Sequence, residues 1–298
     1  MKRTALALAA LLLLAACGCG RQSGATVAGT KIDAQVCRYF DDCARQEAPD
    51  ASEAEQTAAA DAMLSEYVAV NSAFASRGLQ LTAQQKAAVS QTVNDLWRLF
   101  GDYYAELGVT KQTLWKTQTS EAYREALLLD YYAPDGDEPV SEDALRTYFG
   151  ENYVAFQSIT GFLVTADDSG NAVALDDSAR AQLLSSFEAM ASAVSGGSSV
   201  AAQAAKAENT ISNPETVVVA RGDPAYSDAF FAHVFAMENG TTSVFTDGDY
   251  VFLVLRENIA DPERDLFADH RTDCLETLKG EAFNAVLQTW AQSYPVER

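Results

Sequence analysis

The chain has 298 residues, with 42 Asp+Glu against 21 Lys+Arg, and its formal net charge of −21 repels nucleic acid and anionic headgroups. Apolar residues make up 48% and aromatics 10%, enough to build real cores, which excludes wholesale disorder. With two histidines, His233 and His270, and no Cys pair at CxxC spacing, a zinc centre lacks ligands, and no metal or cofactor is expected.

Met1-Lys2-Arg3 precedes an apolar run from Thr4 to Ala16 and then Cys17. A basic start with a short apolar core reads as an export signal over residues 1–16, and the run falls short of the ~20 residues that span a bilayer. Leu14-Ala15-Ala16-Cys17 resembles the lipobox of bacterial lipoproteins. That resemblance implies cleavage before Cys17, a diacylglyceryl group on its thiol and attachment to the extracytoplasmic face of the bacterial cell membrane, since two or three acyl chains anchor stably. An ordinary secretory signal with an incidental Cys17 is the competing reading. Cleavage removes Lys2 and Arg3 and takes the formal charge to −23. Residues 17–25 form a small polar tether.

Ala25 to Asp33 reads as a short strand, a Gly turn and a helix cap. In the helix that follows, Val36, Tyr39, Phe40 and Cys43 share a face, and Cys37 lies off it. Cys43 is therefore the better placed to pack against another element. A disulfide from this helix to Cys274, with Cys43 the favoured partner, is available if the chain ends pack together; reduced, buried thiols are the alternative. Ser52 and Glu55 form a capping box opening a long helix that ends at Gly78. Thr82 with Gln85 opens another, striped by Val89, Val93, Leu96, Trp97, Phe100 and Tyr104. Thr110 begins a third through Trp115, continuing or restarting at Ser120 and running to Tyr132.

Pro134 to Pro139, two prolines and a glycine in a short span, read as a linker. Beyond it the texture is α+β: a helix through Tyr148, a strand over 155–164, a turn at Asp167-Asp168, a helix through Phe187, a short helix near 200–207, a strand over 216–220, a helix over 227–237 and a hairpin over 243–255. Asp261-Pro262-Glu263 is expected to start a last helix carrying Phe267, Cys274 and Leu278, whose apolar side needs a partner, the N-terminal helices being the obvious one. The fold class is α+β: a mostly helical N-terminal domain over 26–136 completed by a C-terminal helix within 260–298, and a small α+β domain over 137–259.

Several fragments, in order and spacing, resemble the PrsA/SurA group of exported foldases. They are ATVAGTKI (25–32), Glu106-Leu107-Gly108-Val109-Thr110, Val140-Ser141-Glu142 with YFGENYVAF (148–156), and Phe230 to Gly240 with Ser243. The resemblance implies a helical SurA-N-like chaperone domain, a parvulin-type peptidyl-prolyl isomerase domain, and unfolded or newly exported polypeptides as partners. Active parvulins carry a histidine on the first strand and another on the last; the matching positions here are Gly161 and Val251, and Arg221-Gly222-Asp223 is the nearest remnant of the segment that shapes the proline pocket. Replacing both imidazoles by apolar positions is a coherent repacking that leaves no orphaned donor, and implies a degenerate site without catalysis.

His233 sits where the family uses no catalytic group and reads as a partly exposed helix residue; His270 has no companion in the sequence. Asp167-Asp168 and Asp176-Asp177 lack the twelve-residue calcium loop and read as a turn and an N-cap. Trp97, Phe100, Tyr103, Tyr104 and Trp115 cluster in the helical half. Core packing accounts for most such rings; the resemblance implies that Trp97, Phe100, Tyr104 and Trp115 include a cradle for unfolded substrate, placed between the helical domain and the C-terminal helix. The expected function is a membrane-anchored extracytoplasmic chaperone, with an active isomerase and a non-catalytic envelope scaffold as rivals.

Overall fold

The computed structural model describes residues 24–167 and 169–298. The export signal, Cys17, the tether up to residue 23 and Asp168 lie outside the described residues. The described chain divides into two compact units, residues 24–140 with Glu276–Arg298, and Ser141–Leu275. The architecture is α+β, a helical unit and a small sheet-bearing one.

In the helical unit, strands β1 (Thr26–Val27) and β2 (Thr30–Lys31) pair across Ala28-Gly29. Both turn residues have positive φ, 46° and 78°, as a two-residue hairpin requires. Helix α1 (Ala34–Glu47) starts where Asp33 accepts the Gln35 N–H. Helices α2 (Glu53–Ser76) and α3 (Ala83–Glu106) each open on a complete capping box, Ser52/Glu55 and Thr82/Gln85. Helix α4 (Lys111–Tyr131) runs from its Thr110 cap without a restart at Ser120.

The hairpin lies on α1, joining Ala25, Val27, Val36, Cys37 and Leu64 in one cluster. Cys37 is therefore the core thiol, 1% exposed, while Cys43 is half-buried. The sequence stripe assigned these two the other way round, because it could not show the hairpin covering the Val36–Cys37 side of α1. In the Pro134–Pro139 stretch, Gly136 passes so close to the α4 C-terminus that a Cβ would run into the carbonyls of Asp130 and Tyr131.

The second unit begins with α5 (Glu142–Asn152), capped by Ser141, and continues into β3 (Tyr153–Phe162). A small hairpin, β4 (Val164–Ala166) and β5 (Ala172–Ala174), leads to α6 (Asp177–Ser195) and α7 (Val200–Ala204). Then come β6 (Thr210–Ala220), α8 (Asp228–Ala236), β7 (Thr242–Asp247) and β8 (Tyr250–Glu257). The strands form an antiparallel sheet in the order β6-β3-β8-β7. Strand β6 starts well before the TVVVA segment because it sits on the edge, where Pro214 is tolerated beside a register irregularity. Period-two alternation gives the sheet two apolar faces. Val154, Phe156, Phe252 and Val254 pack on Phe230, Phe231 and Val234 of α8. Ile159, Val251 and Leu253 pack on Phe187 and Val194 of α6 and Val200 of α7.

Asp261-Pro262-Glu263 does not start a helix: Asp261 accepts the Glu263 N–H in a turn, and α9 (Arg271–Ala291) follows a single 3-10 turn at Ala268–His270. The second unit thus extends past the expected limit at 259 to Leu275. Within it His270 has companions after all, stacking on Phe149 with centroids 5.7 Å apart and lying 3.8 Å from Asp273. From Glu276 onward α9 belongs to the helical unit, where buried Phe283 meets Tyr131 and Tyr132 edge-on or tilted. Strand β9 (Val296–Glu297) adds to β1, and Arg298 forks between Asp61 at 2.6 Å and Asp41 at 2.7 Å.

Candidate functional site

The positions matched to the parvulin histidines are directly paired across β3 and β8, Gly161 opposite Val251. They lie on the α6 face of the sheet, and both are buried. A Cβ at residue 161 would stand 2.8 Å from Cζ of Phe187 and 3.0 Å from Cγ1 of Val251. The Phe187 ring therefore occupies the space above Gly161, and the place where an imidazole pair would sit is packed hydrocarbon. His233 does not replace it. It projects from α8, which covers the opposite face, stacks on Phe245 at 3.9 Å and is hydrogen-bonded to Ser243 at 2.9 Å. Arg221 lies over the Phe235 ring at 3.7 Å, and Asp223 accepts the Ala225 N–H in a turn.

The helical unit holds an open hollow of about 490 Å³. It forms where α3 breaks its own regularity: Phe100 has φ −131° and ψ 18°, well outside helical values, and the helix kinks there. Trp97, Leu99, Phe100, Tyr103 and Tyr104 line it, with Gln46 of α1 at one side. Tyr104 is the buried floor, and burial pushes its hydroxyl up to about 12. Leu99 is 60% exposed, a large apolar side chain that the helix leaves in water. The segment past the kink is pinned to α1: Tyr103 donates to Asp42 at 2.7 Å and accepts from Gln46 at 2.8 Å. Burial and the Asp42 carboxylate hold the Tyr103 proton well above its usual range.

Three of the four rings expected to form a cradle, Trp97, Phe100 and Tyr104, thus share one hollow, and Trp115 does not line it. Trp115 is 39% exposed elsewhere on α4. No residue of α9 lines the hollow either, so it is not placed between the helices and the C-terminal helix. Sequence reasoning missed Leu99. Its signal was an apolar residue off the α3 stripe, where the amphipathic pattern calls for a polar one.

The bridge between Cys43 and Cys274 is not formed. Both are free thiols; Cys43 is hydrogen-bonded to Tyr39 in the helical unit and Cys274 to Tyr153 in the other. Burial pushes the Cys43 thiol up to about 11 and raises that of Cys274. Asp167 accepts the Ser169 and Asn171 N–H groups at 2.8 Å and Asp176 caps α6, so each carboxylate serves its own backbone. Among the described residues no helix is long and apolar enough to cross a membrane.

No family model matches the chain, and no curated protein does. Solved structures similar to it include three PrsA proteins. Foldase protein PrsA from Streptococcus pneumoniae is 12% identical with a TM-score of 0.44, over 84% of this chain and 87% of that one. PrsA from Lactococcus lactis is 10% identical with a TM-score of 0.40, over 90% and 89%. PrsA from Bacillus subtilis is 12% identical with a TM-score of 0.36, over 78% and 81%.

Proposed function

We propose that this protein is an exported, lipid-anchored chaperone that holds unfolded polypeptide at the extracytoplasmic face of the membrane by reversible apolar contact. The hollow in the helical unit carries the reading. A kinked helix that leaves Leu99 exposed beside Trp97 and Phe100 forgoes its own burial, and a receptive surface explains that arrangement. Fully covering one such Leu is worth about 1.5–3 kcal/mol, enough for weak capture and release when a few side chains engage together. The leader and Cys17 support export and anchoring, and the acidic surface keeps a loaded complex soluble.

The sheet-bearing unit serves as a parvulin-like domain without catalysis. Gly161, Val251 and the Phe187 ring support that part: no titratable group is left at the paired positions. The test is aggregation of a chemically denatured secreted protein, followed by light scattering, alongside a protease-coupled proline-peptide assay. Suppression at stoichiometric excess without isomerisation is the expected pair. Absence of suppression overturns the chaperone reading, and rate enhancement on the peptide overturns the non-catalytic one.

A further inference from the structure

Resting on the chaperone reading and deepening it, we infer that the hollow selects apolar segments that carry lysine or arginine, in preference to equally apolar acidic ones. The charges around it are unbalanced in a specific way. Arg98, the cation among the lining residues, is already held by Asp95 at 3.1 Å, Arg45 on α1 is held by Asp42 at 3.5 Å, and Arg38 is spent on the Gly108 carbonyl at 2.7 Å. Asp102 lines the hollow and Glu106 ends the same helix, and neither has a cationic partner among the described residues. An extended chain seated on Trp97, Leu99 and Phe100 meets the Asp102 carboxylate in the hollow itself, with Glu106 four residues further along the same helix. A neighbouring lysine or arginine meets opposite charge there, while an aspartate or glutamate meets its own sign in a field already set by the net charge of −21. The same balance disfavours a second copy of this chain as the occupant, because it brings the same unpaired carboxylates to the face.

The probes are three labelled eight-residue peptides of alternating type, Phe and Leu interleaved with Lys, with Glu or with Ser, titrated into the full mature chain and read by anisotropy. The Lys peptide is expected to bind about tenfold tighter than the Glu peptide at low salt, the Ser peptide lying between, and the gap to close as salt rises. Asp102→Asn with Glu106→Gln should shrink the gap to about threefold or less, and a gap that stays near tenfold overturns the inference. Equal affinity for Lys and Glu peptides overturns the inference while sparing the chaperone reading. Failure of all three to bind overturns both. A dimer in sedimentation that Leu99→Ser dissolves would assign the face to a second copy and overturn the inference.

Discussion

Gly161 shows how a single position governs the packing around it. With no side chain it lets the Phe187 ring approach the strand closely, and restoring even a methyl group puts a Cβ 2.8 Å from that ring. Gly161→Ala is expected to cost about 1–3 kcal/mol by overpacking, measured by denaturant unfolding; a neutral result would mean the ring moves aside freely. That positions 161 and 251 carry no histidine was legible in the sequence; that they face each other came only with the β3–β8 register. That Phe187 fills the gap was not, since only the packing of α6 brings it there. Asp33 makes a second residue-scale case. Its bond from Lys116, with the Gln35 N–H and the nearby charges, holds its carboxyl below the ordinary 3.8. A depressed folded value contributes stability above the unfolded value, lost as pH falls through the folded one. Asp33→Asn keeps a competent cap and discards the ion pair. The stability gap to the parent chain should therefore be widest near neutrality and close below about pH 4, in urea melts taken across pH; a gap that widens in acid would contradict it.

At the scale of elements, caps and periodicity placed α1 to α4 well, because Ser52, Thr82 and Thr110 act through bonds to their own backbone. The errors had two sources: β6 begins earlier because distant chain, β3, lies along it, and α9 begins later because Asp261 holds its own backbone in a turn. The kink at Phe100 was also invisible, since no proline marks it and the stripe continues through it. What holds the kinked segment is the Tyr103 hydroxyl between Asp42 and Gln46. Tyr103→Phe is expected to cost about 1 kcal/mol and to speed amide exchange over residues 101–106 above that over 84–95. Unchanged exchange would mean the pin does not hold the segment.

At the scale of the molecule, the change of texture after Pro139 announced two units. The compact units meet at 140/141 and 275/276, not at 137 and 260, because Phe267 and His270 pack on Phe149 of the second unit. The helical unit is closed by chain from its far end: β9 extends the β1 sheet, and Arg298 ties Asp41 to Asp61. Arg298→Ala is expected to lower the stability of this unit by about 1–2 kcal/mol in thermal unfolding followed by tryptophan fluorescence. An unchanged transition would leave the closing role to the strand alone.

Whether polypeptide is held at the kinked helix is tested most directly by photocrosslinking from a benzoylphenylalanine at position 99, with the same group at 211 as control, a residue nearly as exposed (59% against 60%) on the sheet edge. With a denatured secreted protein present, the account predicts strong adducts from 99 and little from 211. Equal yields, or adducts chiefly from 211, would contradict it.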